Sequence, residues 1–334
     1  RVAGAPASTG VGTAFGKVIL LGEHFAVHGG AAIAMPVMTR SLTIEVAPGT
    51  GRVNASIVGA AAIDGDALAR ALRAMLEELA RGTNGGLAAD PASIDLTLSG
   101  DLPIAAGLGG SASLAAALVR ALGAPEADVR GLVHRLEHLA HGRPSGVDGA
   151  VVSLETPICF EDGAIAELAC DPAWLATHPW WLAIVARAGS TREAVARVMA
   201  HQQADPTAFA RATAASNAAV YELRQVLSRP PDDAALRAIG RLFDEAHARL
   251  AAVGVSSPAL ERLVLAAHDA GAYGAKLTGA GLGGAVIATA PAGLDLTRAL
   301  YAAGAIDVIG PKPSQGLIER AGGEQRRLGR EGSS

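Results

Sequence analysis

A chain of 334 residues is long enough for two domains or one large α/β unit. Half of its residues are hydrophobic, 18% are charged and 41 are glycine, which excludes a disordered, coiled-coil or collagen-like chain. A formal charge of −4 argues against a general nucleic-acid binder, two cysteines (Cys159 and Cys170) outside any Cys-x-x-Cys pair exclude a disulfide framework, and no apolar run approaches the roughly 20 residues of a membrane span.

In chain order, Lys17–Leu21 reads as a first strand, followed by a turn-rich GEHFAVHGG and a second apolar stretch, Ala31–Met38. Alternation continues through Ser41–Ala47 and 52–58. Asp66–Arg81 has helical spacing in Leu68, Leu72, Met75, Leu76 and Leu79, and Ile94–Leu98 alternates again. A Pro- and Gly-rich loop, DLPIAAGLGG, leads into the Ala- and Leu-rich helix Ser111–Leu122, and a further helix spans Glu126–Ala140. RPSGVD (143–148) reads as a loop, and Val151–Leu154 with Pro157–Phe160 as a hairpin. A strand over Trp180–Ala186 opens the second half. Helices are predicted over Arg192–Gln202, Asp205–Leu227, Asp232–Ala252 and Pro258–Ala270, and a glycine-studded turn feeds a strand at Ala285–Ala290. The tail, 322–334, reads as disordered.

Of 28 basic residues only three are lysine: Lys17, Lys276 and Lys312. In a chain that elsewhere takes arginine, a retained lysine points to a need for a compact ammonium, although chance remains the alternative. The strongest local signal is GLGGSAS, Gly107–Ser113, between a strand and a helix. Glycines there let backbone N–H groups turn towards a ligand, and the free amides of a helix start favour an anion, above all phosphate. Ser111 is open to two roles, N-cap or magnesium ligand. The loop lacks the Lys of a Walker A motif. Gly107-x-Gly109-x-x-Ala112 also fits a dinucleotide pattern, but Asp128 then falls at a helix start rather than at the end of a second strand. His134-Arg135-Leu136-Glu137-His138 is a literal HxxEH, which on a helix suggests zinc with Glu137 as base. Glu137 near the phosphate loop is alternatively a magnesium carboxylate. Asp148 is either a turn cap or the acceptor of a hydroxyl proton, with Lys17 holding it ionised.

Four stretches in order, GKVILLGEHFAVHG (Gly16–Gly29), LPIAAGLGGSAS (Leu102–Ser113), EHLAHGRPSGVDGA (137–150) and GAKLTGAGLGGAV (Gly274–Val286), resemble the GHMP kinase superfamily, and the FAVHG continuation most closely resembles its mevalonate kinase branch. Departures are Phe15 for the usual Pro, Gly110 for the first Ser of GLGSSA, and Leu282 inside GAGGGG. The resemblance implies an α/β (α+β two-layer) fold: an N-terminal domain like ribosomal protein S5 domain 2 over 1–177 and a ferredoxin-like C-terminal domain over 178–321. It implies ATP and Mg²⁺ as cofactors and phosphorylation of (R)-mevalonate to 5-phosphomevalonate in isoprenoid synthesis, with another GHMP acceptor or a degenerate nucleotide-binding regulator as alternatives. Asp148 and Lys17 would be catalytic. Gly107, Leu108, Gly109, Gly110, Ser111 and Ala112 would cradle the nucleotide, and Ser111 and Glu137 would hold the metal. Glu23, His24 and Thr191 would contact the acceptor, and Lys276 would be structural. The expected partner is a small molecule, with no nucleic acid and no membrane, in a cytoplasmic protein for which a homodimer is among the admitted assemblies.

Overall fold

Twelve residues with largely alternating burial form β1 (Gly10–Leu21), which turns through a 3-10 segment at Ala26–His28 into β2 (Ala31–Pro48). These are the first elements of a computed structural model that describes residues 9–57, 65–81, 90–104, 106–141 and 145–311. Lys312, the 322–334 tail, and Arg143 and Pro144 of the RPSGVD loop lie outside the described residues.

The two apolar stretches at 31–38 and 41–47 are one strand. Its antiparallel register with β1 jumps from Phe15↔Ser41 to Gly16↔Val37, so Met38, Thr39 and Arg40 form a bulge, which interrupts the alternation without ending the strand. Around this pair are built β3 (Val53–Ile57), α1 (Gly65–Arg81), β4 (Ile94–Gly100), α2 (Gly110–Ala121), α3 (Glu126–His141), α4 (Val147–Leu154), β5 (Ile158–Glu161) and β6 (Ala164–Glu167). The sheet runs β3-β4-β2-β5-β6, with β1 on β2. The expected strand at Val151–Leu154 is instead the end of α4. Gly146 enters the left-handed region and starts the helix, and Val147, Ala150, Val151 and Val152 bury around it, so burial overrides the strand preference of β-branched residues. The hairpin lies one strand later, between β5 and β6, across Asp162-Gly163, both at positive φ as a tight two-residue turn requires.

After α5 (Ala173–Thr177), a second, wholly antiparallel sheet forms in the order β10-β7-β9-β8, from β7 (Trp181–Val185), β8 (Gly274–Thr278), β9 (Gly284–Thr289) and β10 (Asp307–Ile309). Strand β8 is not predicted from sequence: its five residues are all buried and bounded by glycines, so no alternation marks it. Between β7 and β8 run α6 (Thr191–Ala204), α7 (Pro206–Leu227), α8 (Asp233–Ala252) and α9 (Pro258–Asp269), and α10 (Thr297–Ala302) precedes β10. The starts of α6 to α9 are set chemically. Ser190, Asp205, Asp232 and Ser257 each accept a backbone N–H three residues on, at 3.1, 2.8, 2.7 and 3.4 Å. Each cap contributes about 1 kcal/mol.

The two sheets share an apolar cluster that extends from Leu20, Ile33 and Leu118 to Trp174, Trp180, Phe243, Ile184 and Ile287. Trp174 and Trp180 stack at 5.4 Å between centroids, and the Trp174 indole N–H donates to the Arg229 carbonyl at 2.8 Å, so the buried ring leaves no donor unpaired. Strand β8 also meets β1 directly: the Thr278 hydroxyl donates to the Ile19 carbonyl at 2.9 Å. That contact brings the first and last glycine-rich segments together. No helix among the described residues is long and apolar enough to cross a membrane.

Candidate active site

Lys17 projects from the middle of β1 and is buried, its ammonium 2.9 Å from a carboxylate oxygen of Asp148 in the first turn of α4. The Asp148 side chain is still 38% exposed, so one end of the pair faces solvent. Glu137, reaching from α3 to the same place, is buried. A Cβ placed on Gly149 would lie 2.5 Å from Glu137 Oε2, so only glycine lets this carboxyl approach the start of α4. Burial above all, then the negative charge of Asp148, pushes the Glu137 carboxyl up to about 8, against the opposing pull of Lys17 and a bond from the Gly149 N–H. Lys17 thus pairs directly with Asp148 and acts on Glu137 only through its charge.

The glycine loop folds back on β1. The Lys17 N–H donates to the Leu108 carbonyl at 2.9 Å, and a Cβ on Gly109 would come within 2.7 Å of the Lys17 side chain. Gly107 and Gly109 are both at positive φ, and Gly109 caps α2 without any side-chain bond to the helix start, which leaves its N–H groups available. Leu108 and Ala112 point into the core, so their share in any cradle is backbone only. Ser111 is not the N-cap, since Gly109 occupies that position. Its hydroxyl has no hydrogen-bond partner among the described residues, and Glu137 Oε2 is buried with none. A free hydroxyl and an unsatisfied carboxylate oxygen beside an anion cradle fit a hard divalent cation that shares its shell with phosphate. Ser113, which sequence reasoning passes over, fixes the loop: its buried hydroxyl lies within bonding distance of the Phe15 and Gly109 carbonyls, at 2.8 and 3.0 Å.

The remaining expected residues make their contacts elsewhere. Glu23 is buried in an ion pair with Lys276, whose side chain is fully enclosed. The second Glu23 oxygen, Oε2, has no partner among the described residues. Burial pulls the Lys276 ammonium below its usual range, with the Glu23 charge opposing. His24, at positive φ, joins its Nε2 to the Ala280 carbonyl at 2.9 Å, and burial lowers its basicity. Thr191 is the exposed first residue of α6 and makes no hydrogen bond to Lys17, Asp148, Glu23 or His24 among the described residues. Its neighbour is Arg187, at 3.4 Å. Sequence reasoning does not single out Arg187, a half-buried cation whose Nε lacks a partner among the described residues. The only advance signal was an arginine just past an apolar strand. The loop it sits on is tied to the last glycine segment, because the Ala188 and Gly189 N–H groups both donate to the Leu282 carbonyl, at 2.8 and 3.2 Å. That segment closes on the Gly107 loop: a Cβ on Gly279 would meet the Gly107 carbonyl at 3.3 Å.

Residues 66–155 match the family described as GHMP kinases N terminal domain, and residues 233–304 match GHMP kinases C terminal. A mevalonate kinase from Aeropyrum pernix is 30% identical over 303 residues, covering 81% of this chain and 86% of that protein. The chain belongs to the GHMP kinase family. Among relatives of this GHMP kinase, the mevalonate kinase of Pyrococcus horikoshii is 29% identical over 327 residues, 90% of this chain and 95% of that one. The crystal structure of L. major mevalonate kinase in complex with R-mevalonate superposes with a TM-score of 0.72 at 27% identity, covering 89% of this chain and 92% of that chain. The α+β architecture of this GHMP kinase is therefore the family's own, and the match takes in both sheets.

Proposed function

We propose that this GHMP kinase transfers the γ-phosphoryl group of ATP to the 5-hydroxyl of (R)-mevalonate, giving 5-phosphomevalonate and ADP. The observation that carries the reading is the Lys17–Asp148 contact of 2.9 Å, with Asp148 half open to the cleft beside an uncapped helix start. The relatives above, named mevalonate kinases along almost their whole length, supply the acceptor.

In this mechanism the acceptor oxygen forms its bond to the γ-phosphorus as the bond to the β,γ-bridging oxygen breaks, and ADP leaves with that electron pair. The hydroxyl proton passes to Asp148. Lys17 keeps Asp148 ionised and places positive charge where the transferring group gains negative charge. A loose phosphoryl transition state demands little base strength, so orienting the hydroxyl matters as much as taking its proton. The backbone of Gly107–Ala112 holds the phosphates. Ser111 and Glu137 would hold Mg²⁺, which when bound neutralises phosphate charge. Glu23, through its unpaired oxygen, His24 and Thr191 are assigned to the acceptor side. The need for ATP as donor assigns the reaction to the cytoplasm.

The test is Mg²⁺-dependent ADP release with mevalonate, phosphomevalonate, galactose and homoserine in parallel. Mevalonate is expected to give the highest kcat/KM. Faster turnover on another alcohol would reassign the acceptor, and nucleotide binding with no transfer to any of them would favour the degenerate reading raised by Phe15, Gly110 and Leu282.

A further inference from the structure

The HxxEH sequence on α3 separates into two faces. Glu137 is buried towards Lys17 and Asp148, whereas His134 and His138 lie exposed on the outer surface, so Glu137 cannot serve them as a general base and the hydrolytic reading fails. The histidines themselves remain closely arranged. Spaced i, i+4, they bring their Nε2 atoms to 3.3 Å, with rings edge to face at 4.8 Å between centroids. Two imidazole nitrogens bound at about 2.0–2.1 Å to one tetrahedral ion stand roughly 3.3 Å apart, and about 2.9 Å apart at a right angle. The observed separation is that of a chelating pair. The same separation is that of the hydrogen bond the two nitrogens share, which a bound ion would replace.

We propose that His134 and His138 form a two-imidazole site for a borderline divalent transition-metal ion, with Zn²⁺ as the representative ligand. Imidazole nitrogen selects Zn²⁺, Ni²⁺ or Cu²⁺ over Mg²⁺, so the site does not compete for the hard cation that accompanies a nucleotide. No cluster of three or more His, Cys, Asp or Glu side chains suited to a metal occurs among the described residues, so only the two imidazoles are named as protein ligands, and a shell completed by water would let the ion exchange readily. A cleft of about 480 Å³ opens beside His134, lined by Arg130, His134, Ser145, Gly146, Gly149 and Ile165. The site also adjoins the catalytic helix. A Cβ on Gly146, the residue that starts α4, would lie 3.6 Å from His134 Nδ1, so an ion fixing this ring rests it against the cap of the helix that bears Asp148. The proposal stands on the α3 surface alone and holds whichever alcohol the kinase uses.

The experiment titrates the full chain, freed of nucleotide and metal, with Zn²⁺ by calorimetry and with Cu²⁺ by electron paramagnetic resonance. One equivalent is expected to bind, with two equatorial nitrogens in the Cu²⁺ spectrum. Both H134Q and H138Q should weaken that equivalent roughly tenfold or more, because each leaves a single-point ligand. Circular dichroism checks that these surface variants stay folded. A millimolar excess of Mg²⁺ should leave Zn²⁺ binding unchanged. Binding that is absent in the parent chain, survives unaltered in both variants, or is displaced by Mg²⁺ would overturn the proposal, the last outcome assigning the ion to Ser111 and Glu137.

Discussion

Two of the three lysines each face a carboxylate, and the two pairs differ in exposure. Lys17–Asp148 joins a buried ammonium to a carboxylate that is 38% exposed, whereas Lys276–Glu23 is sealed, at 0% and 2%. In the open pair, the charge that binds Lys17 can also reach a substrate hydroxyl. In the sealed pair, each charge offsets the other's desolvation and adds little net stability, yet losing either partner strands the survivor in the core. On the proposed mechanism the open pair carries the chemistry, while the sealed pair holds Glu23 in place on the acceptor side. The Gly274–Gly284 segment links them, carrying Lys276 at one end and resting Gly279 on the Gly107 loop.

The sharpest way to break the comparison is to neutralise one acid in each pair. D148N should lower kcat by about 10²–10⁴-fold, the usual range for a lost acid–base group, while nucleotide affinity stays close to that of the parent and the urea midpoint falls less than in the sealed pair, since Glu137 still balances the buried Lys17. Steady-state kinetics with a nucleotide-binding titration decides it, and near-normal turnover would remove Asp148 from the chemistry. K276M should behave in the opposite way, costing about 3–5 kcal/mol in urea unfolding because Glu23 is left buried and charged. Adding E23Q to K276M should recover much of that loss, since it removes the stranded charge. If the single and double variants unfold alike, the sealed pair is not the coupled unit described.

Glu137 sharpens the same contrast, since it is buried like the sealed pair but belongs to the open one. Its carboxyl is raised from 4.5 to about 8, so the folded protein without metal holds a proton that the unfolded chain releases. The stability this confers is complete below about pH 4.5 and is lost as pH climbs towards 8, a decline of at most a few kcal/mol. Urea unfolding of metal-free protein across that window should show the fall, and E137Q should flatten it. A metal ion needs the ionised form, so activity at limiting Mg²⁺ should rise over the same interval, and a flat profile in both measurements would contradict the assignment.

The sequence carries much of this arrangement because its signals are local. Lysine scarcity marks Lys17, glycine spacing marks Gly107–Ser111, and helical spacing places α1, Ala and Leu content α2 and end signals α3, each to within a residue or two. What escaped was set by distant contacts. Nothing near Glu23 announces that Lys276, 253 residues on, pairs with it, and the valines of α4 read as strand until a buried helical face is known. Asp162-Gly163 was the opposite case, a legible turn whose partner strands were placed one element too early.

The smallest effect tests the link between the pairs. Leu282 stands in the glycine segment at φ 55, a left-handed conformation that costs a branched residue about 1 kcal/mol or more, yet it is buried and its carbonyl anchors Ala188 and Gly189 before α6. Its side chain also packs where a Cβ on Gly189 would stand, 2.8 Å from Leu282 Cδ1. Replacing it by alanine loses the packing and keeps the strain. Glycine loses the packing and relieves the strain, so L282G should be about 1 kcal/mol more stable than L282A while both fall below the parent. The loop bearing Thr191 should loosen equally in the two, raising KM for the acceptor a few-fold with kcat nearly unchanged. Equal stability of the two variants would mean that the backbone at 282 relaxes without cost, leaving packing alone to hold the segment between the open and the sealed pair.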